Sequence, residues 1–311
     1  MRLRVVVTIL AVLTLFTVGG VIFGIRELGR HLPSHVPNPL VAEECTATGS
    51  YEGTPEQVSL SPEQMANAAT IAAVGITRKV PPRAIVVALA AAQQESKLFN
   101  LEGGDRDSVG LFQQRPSQGW GTREQILDPR YAAGQFYKAL LKVKGWQDMR
   151  IADAAQKVQR SADGERYQRW APSAQAMADA FVGTNSAALS CTITEDPSQR
   201  GPDAATALVS SLTLDWGKLD SLTRLDSGTG GPAEPSTAAD GAPSGLVVSV
   251  AGTQAGWQYA HWLVAHAAAQ SVKSVTFGNH VWTAKSGTWT TVTVDPTVAG
   301  AATRVVAEVY S

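Results

Sequence analysis

The densest group of reactive side chains is Gln93-Gln94-Glu95-Ser96, followed by Gly103-Gly104-Asp105-Arg106-Asp107-Ser108-Val109-Gly110-Leu111-Phe112-Gln113-Gln114-Arg115-Pro116. Glu95 follows Ala88, Ala91 and Ala92 at i−7, i−4 and i−3, so on a helix its carboxyl shares a face with small residues. A carboxyl held there is partly desolvated, which favours its proton-bearing form. Such a group can hand a proton to a glycosidic oxygen. The alanines also let a second backbone, or a sugar, approach closely. Gln113, Gln114 and Arg115 add the amide and guanidinium groups needed to hold sugar hydroxyls and acetamido groups. Asp105 and Asp107 have two readings. Either supplies the second carboxylate of a glycoside hydrolase, or they form an Asx-rich turn that caps its own backbone, with Arg106 as a pairing partner. A calcium loop is excluded, because the twelfth position from Asp105 is Pro116 rather than glutamate.

Helical signals surround this group. Ser61-Pro62-Glu63-Gln64 is a capping-box pattern that starts a helix reaching Thr77. Pro81-Pro82 open a second helix, through Lys97, that carries Glu95. Thr122 to Leu127 reads as a short capped turn, and Asp128-Pro129 starts a longer helix with Phe136, Leu140 and Val143 on one face. Ile151 to Ser161 and Arg166 to Phe181 complete the series, with Pro172 kinking or restarting the last helix.

Glu95-Ser96, an intervening loop and Gly110-Leu111-Phe112-Gln113 follow one another in an order that resembles the lysozyme-like transglycosylase family. Its members carry a catalytic Glu-Ser pair and then a Gly-Leu-Met-Gln type motif. Leu127-Asp128-Pro129 and Tyr131-Ala132-x-Gly134 are similar to that family's following helix. The segment as a whole resembles an actinobacterial branch of exported lysozyme-like (SLT-type) domains of membrane-anchored cell-wall proteins. The resemblance covers about residues 58–185. It implies a mainly α lysozyme-like domain that cuts peptidoglycan glycan strands without a cofactor. Glu95 would protonate the bond between two amino sugars, then act as base and draw the C6 hydroxyl onto C1 to give a 1,6-anhydro product. Ser96, Gln113, Gln114 and Arg115 would contact substrate. The chain departs from the family at two places: Phe112 stands for the usual methionine, and Ala154 to Ser161 replaces an Ala-Tyr-Asn-Ala-Gly stretch. Gln159 or Tyr167 is left to take the place of that tyrosine.

Val5 to Ile25 is an uncharged, mostly apolar run of 21 residues, flanked by Arg2, Arg4, Arg26 and Arg30. About 20 residues cross a bilayer core, so residues 1–30 read as a cytoplasmic tip and transmembrane signal anchor. A cleaved signal peptide is the alternative, and both readings export the remainder of the chain. The protein is thus expected at the cell membrane, single-pass, contacting the membrane through this helix. In an exported chain, Cys45 and Cys191 with no other cysteine read as one disulfide, against the alternative of two separate buried thiols.

Composition sets the other boundaries. Residues 31–57 read as a stalk, 58–190 as the lysozyme-like domain, and 191–244 as a linker with one possible helix between Ala204 and Leu222. Residues 245–311 read as a small α+β domain, with strand-like segments around GLVVSV, VKSVTFG, HVWTA, WTTVTV and TRVVAEVY. The Gly/Pro/Ala-rich run 228–244 predicts that the helical domain folds without this tail. Trp257, Trp262, Trp282 and Trp289 are either a sugar-stacking platform or core aromatics.

The chain has 311 residues, with 26 Lys and Arg against 27 Asp and Glu, which argues against nucleic-acid binding. Residues 54–190 carry 16 Lys and Arg against 13 Asp and Glu, a mildly basic balance suited to an anionic wall polymer. Two cysteines, and five histidines without metal spacing, predict no metal site. A papain-like peptidase is excluded, because no cysteine opens a helix near a histidine. A lysozyme-type hydrolase of the same bond and an inactive wall-binding or scaffold protein remain the competing functions. Protein partners are not indicated by the sequence.

Overall fold

A two-residue turn joins the first two described strands. β1 (Glu44–Tyr51) and β2 (Thr54–Leu60) pair antiparallel from Cys45↔Leu60 to Tyr51↔Thr54. The turn residues Glu52 and Gly53 have φ of 50° and 80°, the left-handed pair that lets a tight hairpin keep its strand twist. Cys45, Ala47 and Val58 point inward and their neighbours are largely exposed. The stalk expected over residues 31–57 is therefore corrected to a hairpin over its described part. Pro, Glu and Thr in the segment had hidden a short period-two pattern. The computed structural model describes residues 43–161, 163–225, 244–293 and 301–311. The apolar run Val5–Ile25 and residues 228–243 of the expected linker lie outside the described residues.

The helices start where their caps dictate. α1 (Pro62–Thr77) has Ser61 and Gln64 exchanging side-chain and backbone bonds, a complete capping box. α2 (Pro82–Ser96) is the central helix. Ala84 to Gln93 are buried in an unbroken run, as expected for a helix covered on every side. It ends at Lys97 and Leu98, both left-handed at φ 57° and 65°, with the Leu98 N–H donating to the Ala92 carbonyl. A short turn, α3 (Arg123–Ile126), is capped by Thr122, and α4 (Pro129–Leu140) by Asp128. α5 (Ile151–Gln159) leads to a 3₁₀ segment (Gly164–Trp170), and Pro172 restarts the chain as α6 (Ala171–Phe181).

β3 (Leu189–Thr192) then returns to pair with β1, giving the order β2-β1-β3 and placing Cys45 directly opposite Cys191. The two are joined by a disulfide that spans 146 residues of sequence.

α7 (Gly201–Trp216) precedes a second antiparallel sheet. Its strands are β4 (Leu222–Leu225), β5 (Gly245–Ser249), β6 (Val272–Phe277), β7 (His280–Thr283), β8 (Trp289–Thr291) and β9 (Arg304–Val309). They are ordered β4-β5-β9-β6-β7-β8. The helices α8 (Thr253–Ala265) and α9 (Ala267–Gln270) lie between β5 and β6 in sequence.

The fold is α+β, with two antiparallel sheets among the described residues, which corrects the expectation of a mainly α lysozyme-like domain with a small appended domain. Among the described residues no helix is long and apolar enough to cross a membrane. The tail is not separate either: one hydrophobic core runs from Cys45 to Val309. Polar side chains sew the parts together. The Ala188 N–H donates to His261 Nε2 at 3.1 Å, so His261 Nδ1 carries the proton and donates to the Ala180 carbonyl at 2.7 Å. Both ring nitrogens are thereby satisfied in the neutral form, and burial pushes this imidazole down to about 4. Trp257, Trp262 and Trp282 are buried, and Trp289 Nε1 donates to the Leu189 carbonyl at 2.7 Å. The four tryptophans belong to the core rather than to a stacking platform.

Candidate active site

Glu95 is the penultimate residue of α2 and is half-buried, while Ala88, Ala91 and Ala92 on its face are fully buried. Ser96, next to it, is buried and points away from solvent. Its hydroxyl donates to the Leu111 carbonyl at 2.8 Å and also lies 3.1 Å from the Ala92 carbonyl. Ser96 is thus a tie between α2 and the Gly110–Gln113 loop, not a substrate contact.

That loop is built as a closed turn. Val109 and Gln114 form a bridge that pinches its base. Gly110 has φ +78°, and a Cβ there would sit 2.7 Å from the Ile126 carbonyl, so glycine is required. Leu111 and Phe112 are buried, and the Phe112 ring stacks on Phe136 with centroids 4.8 Å apart. Position 112 is therefore a core position, where phenylalanine for methionine alters packing and not cleft chemistry. A third tie comes from α5: Gln159 Nε2 donates to the Phe112 carbonyl at 2.8 Å.

Glu95, Asp105, Gln113, Gln114, Arg115 and Gln159 all line one cleft of about 1170 Å³. Gln113, at φ 46°, directs its amide over Gly104, where a Cβ would collide with Oε1, and its Nε2 donates to the Gly110 carbonyl at 3.2 Å. Gln114 is buried and its Nε2 donates to the Ala132 carbonyl at 3.1 Å, so it fastens the loop to α4. Arg115 is committed to Asp107, with Nε 2.7 Å from Oδ1.

The two aspartates divide the two readings between them. Asp107 accepts the Ser117 N–H at 2.7 Å, the Arg115 guanidinium at 2.7 Å and the Ser117 hydroxyl at 3.0 Å. The Ser117 N–H foremost, then Arg115, holds the Asp107 carboxyl well below the usual carboxylate range. It is a turn-stabilising group. Asp105 is exposed, lines the cleft and has no side-chain hydrogen bond among the described residues.

Tyr167 proves to be the partner of Glu95. It sits in the 3₁₀ segment after α5, fully buried, and its hydroxyl donates to Glu95 Oε1. Burial first, and then the charge of Glu95, push the phenol up, so it remains a donor at any ordinary pH. Surface ion pairs hold this segment in place: Arg150 grips Asp153 and Glu165, and Arg166 pairs with Asp163. No described residue bonds Glu95 Oε2. Beside it, Gln94 Oε1 accepts from Arg169 at 3.0 Å and from Trp170 Nε1 at 2.9 Å. Lys97 Nζ lies 4.3 Å from the centre of the Trp170 ring.

No family model matches this sequence, and no curated protein matches it. The chemistry therefore rests on the side chains themselves. Sequence reasoning missed Gln94, Trp120 and a cationic wall of Lys138, Lys142, Lys157 and Arg160, all of which line the cleft. The basic balance of residues 54–190 was the available signal for the cations. No group of three or more His, Cys, Asp or Glu side chains among the described residues is placed to hold a metal ion.

Proposed function

We propose that the protein cleaves glycan strands of peptidoglycan, outside the cytoplasm, with Glu95 as the proton-transferring residue. The observation that carries this reading is the state of the Glu95 carboxyl. One oxygen is held by the buried Tyr167 hydroxyl, the other has no protein partner among the described residues, and the group lines a polar cleft. That is the arrangement a general acid needs: fixed on one side, free toward substrate on the other. Glu95 donates its proton to the glycosidic oxygen as the C1–O bond breaks. The resulting carboxylate accepts the proton of the C6 hydroxyl as O6 bonds to C1. Glu95 is then restored, and the product is a 1,6-anhydro sugar. Tyr167 steadies the carboxylate between the two half-reactions. The amides of Gln113 and Gln159 flank the same space and suit sugar hydroxyls. The disulfide favours an oxidising compartment.

Asp105 favours a second reading, hydrolysis, because its free carboxylate shares the cleft and could activate water. Digestion of purified peptidoglycan by the full chain, followed by mass spectrometry of the fragments, separates the two. Anhydro ends are expected. Reducing ends would establish hydrolysis, and undigested strands would remove the proposal.

A further inference from the structure

The cleft is electrically lopsided. Lys138 stands in the last turn of α4 and Lys142 in the turn that follows it, while Lys157 stands in the last turn of α5 and Arg160 caps its end. All four are exposed and line the cleft, and none forms an ion pair with a described residue. Around the neighbouring 3₁₀ segment, by contrast, Arg150 and Arg166 are each matched to carboxylates. Four like charges gathered on one concave wall repel one another, and the wall focuses their field into the groove. Ala139, Val143 and Val158 line the same wall as small apolar surfaces, the first two half-buried and Val158 buried.

We infer that this α4–α5 wall is a recognition subsite for carboxylate-bearing branches of the glycan strand, with the small apolar patches receiving short aliphatic groups on the same branch. The inference rests on the glycan-cleaving reading of Glu95 and deepens it by naming what the strand must carry. A neutral, unbranched glycan would leave the four cations unmatched. An acidic branch would neutralise them while its backbone sugar lies toward Glu95. Rim charges of this kind act mainly through electrostatic steering and are weakened by salt.

Binding to the full-length Glu95→Gln protein tests this without turnover. The probes are a glycan oligomer with carboxylate-bearing branches, the same oligomer with those carboxylates amidated, and a polyol-phosphate polymer. The carboxylated oligomer should bind about tenfold more tightly than the amidated one, as expected for a few exposed charge contacts. Raising the salt should erase that preference. Replacing Lys138, Lys142, Lys157 and Arg160 together by glutamine should erase it too, whereas arginine at the three lysine positions should keep it. Equal affinity for charged and amidated oligomers would overturn the inference. So would a preference that survives the fourfold glutamine change, or binding of the polyol phosphate in place of the carboxylated glycan. Cleavage by the unsubstituted protein is scored separately. Charge-selective binding without any strand cutting supports the subsite and sinks the catalytic proposal; cutting without charge preference does the reverse.

Discussion

At the junction of α1, α4, α7 and α8 the Asp215 side chain is fully buried and surrounded. Its Oδ2 accepts from Thr70 Oγ1 and from Trp262 Nε1, each at 2.8 Å, with His266 Nε2 at 3.8 Å. Arg130 Nε lies 2.7 Å from Oδ1, an ion contact off the N–H direction. In the cleft, Glu95 has a single donor, Tyr167, and an open face. The difference separates a carboxylate that holds a protein together from one that can do work on a ligand. A buried charge is tolerable only when ringed by partners, and a ringed carboxylate has no site left for a substrate proton. Asp107, occupied by Ser117 and Arg115, falls on the Asp215 side of this division despite lying in the candidate motif.

The sharpest way to break the comparison is to exchange the two acids for neutral residues. Glu95→Gln should lower strand cleavage by about 10²–10⁴-fold through the lost proton transfer, with the urea midpoint held. Full turnover in that variant would end the assignment. Asp215→Ala should act the opposite way. It leaves Arg130 facing an empty pocket and strips partners from Thr70 and Trp262, for a loss of about 3–5 kcal/mol in urea unfolding. A stability change under about 1 kcal/mol would mean that the junction is not held by this charge.

A different buried histidine, His261 of α8 where it meets α6 and the segment before β3, sharpens the contrast through pH. His261 is neutral in the fold, pushed down to about 4, whereas an unfolded histidine titrates near 6.5. Between those values the unfolded chain binds the extra proton, so stability is full above about pH 6.5 and falls as pH drops toward 4. The expected loss is about 3 kcal/mol for this group, read from urea midpoints across that window. His261→Gln should flatten the slope. Tyr167→Phe has the smallest expected effect, about tenfold in turnover from one lost hydrogen bond to a charged group. An unchanged rate would make Tyr167 a packing residue only.

Much of the helical scaffold was legible because helix starts are written in local chemistry. Ser61 with Gln64, Thr122 with Gln125, and Asp128 before Pro129 each cap the helix expected there. The strands were less legible where they were polar and short. Residues 44–60 alternate over only a few positions, and their turn is Glu-Gly rather than the more familiar Asn-Gly. Glu95, Asp105, Gln113 and Arg115, from the segment singled out for its reactive side chains, line one cleft together with Gln159, which only the family resemblance had pointed to. The roles of Ser96 and Gln114 did not show in the sequence, because whether a polar side chain faces the cleft or a buried carbonyl depends on how the loop folds back. The joining of tail to helices was invisible for a similar reason. A flexible-looking connector says nothing about whether the segments it joins bury the same core, and Asp215, His261 and Trp262 make contacts far from their own neighbours in sequence.

β9 lies between β5 and β6, in the interior of the six-stranded sheet, although it is the last of the described strands in sequence. During synthesis the slot it fills stays vacant until residues 304–309 have left the ribosome. The six-stranded sheet therefore cannot close before that strand has been made. A chain cut short before it would leave β5 and β6 as two unpaired sheet edges, the kind of surface that invites aggregation.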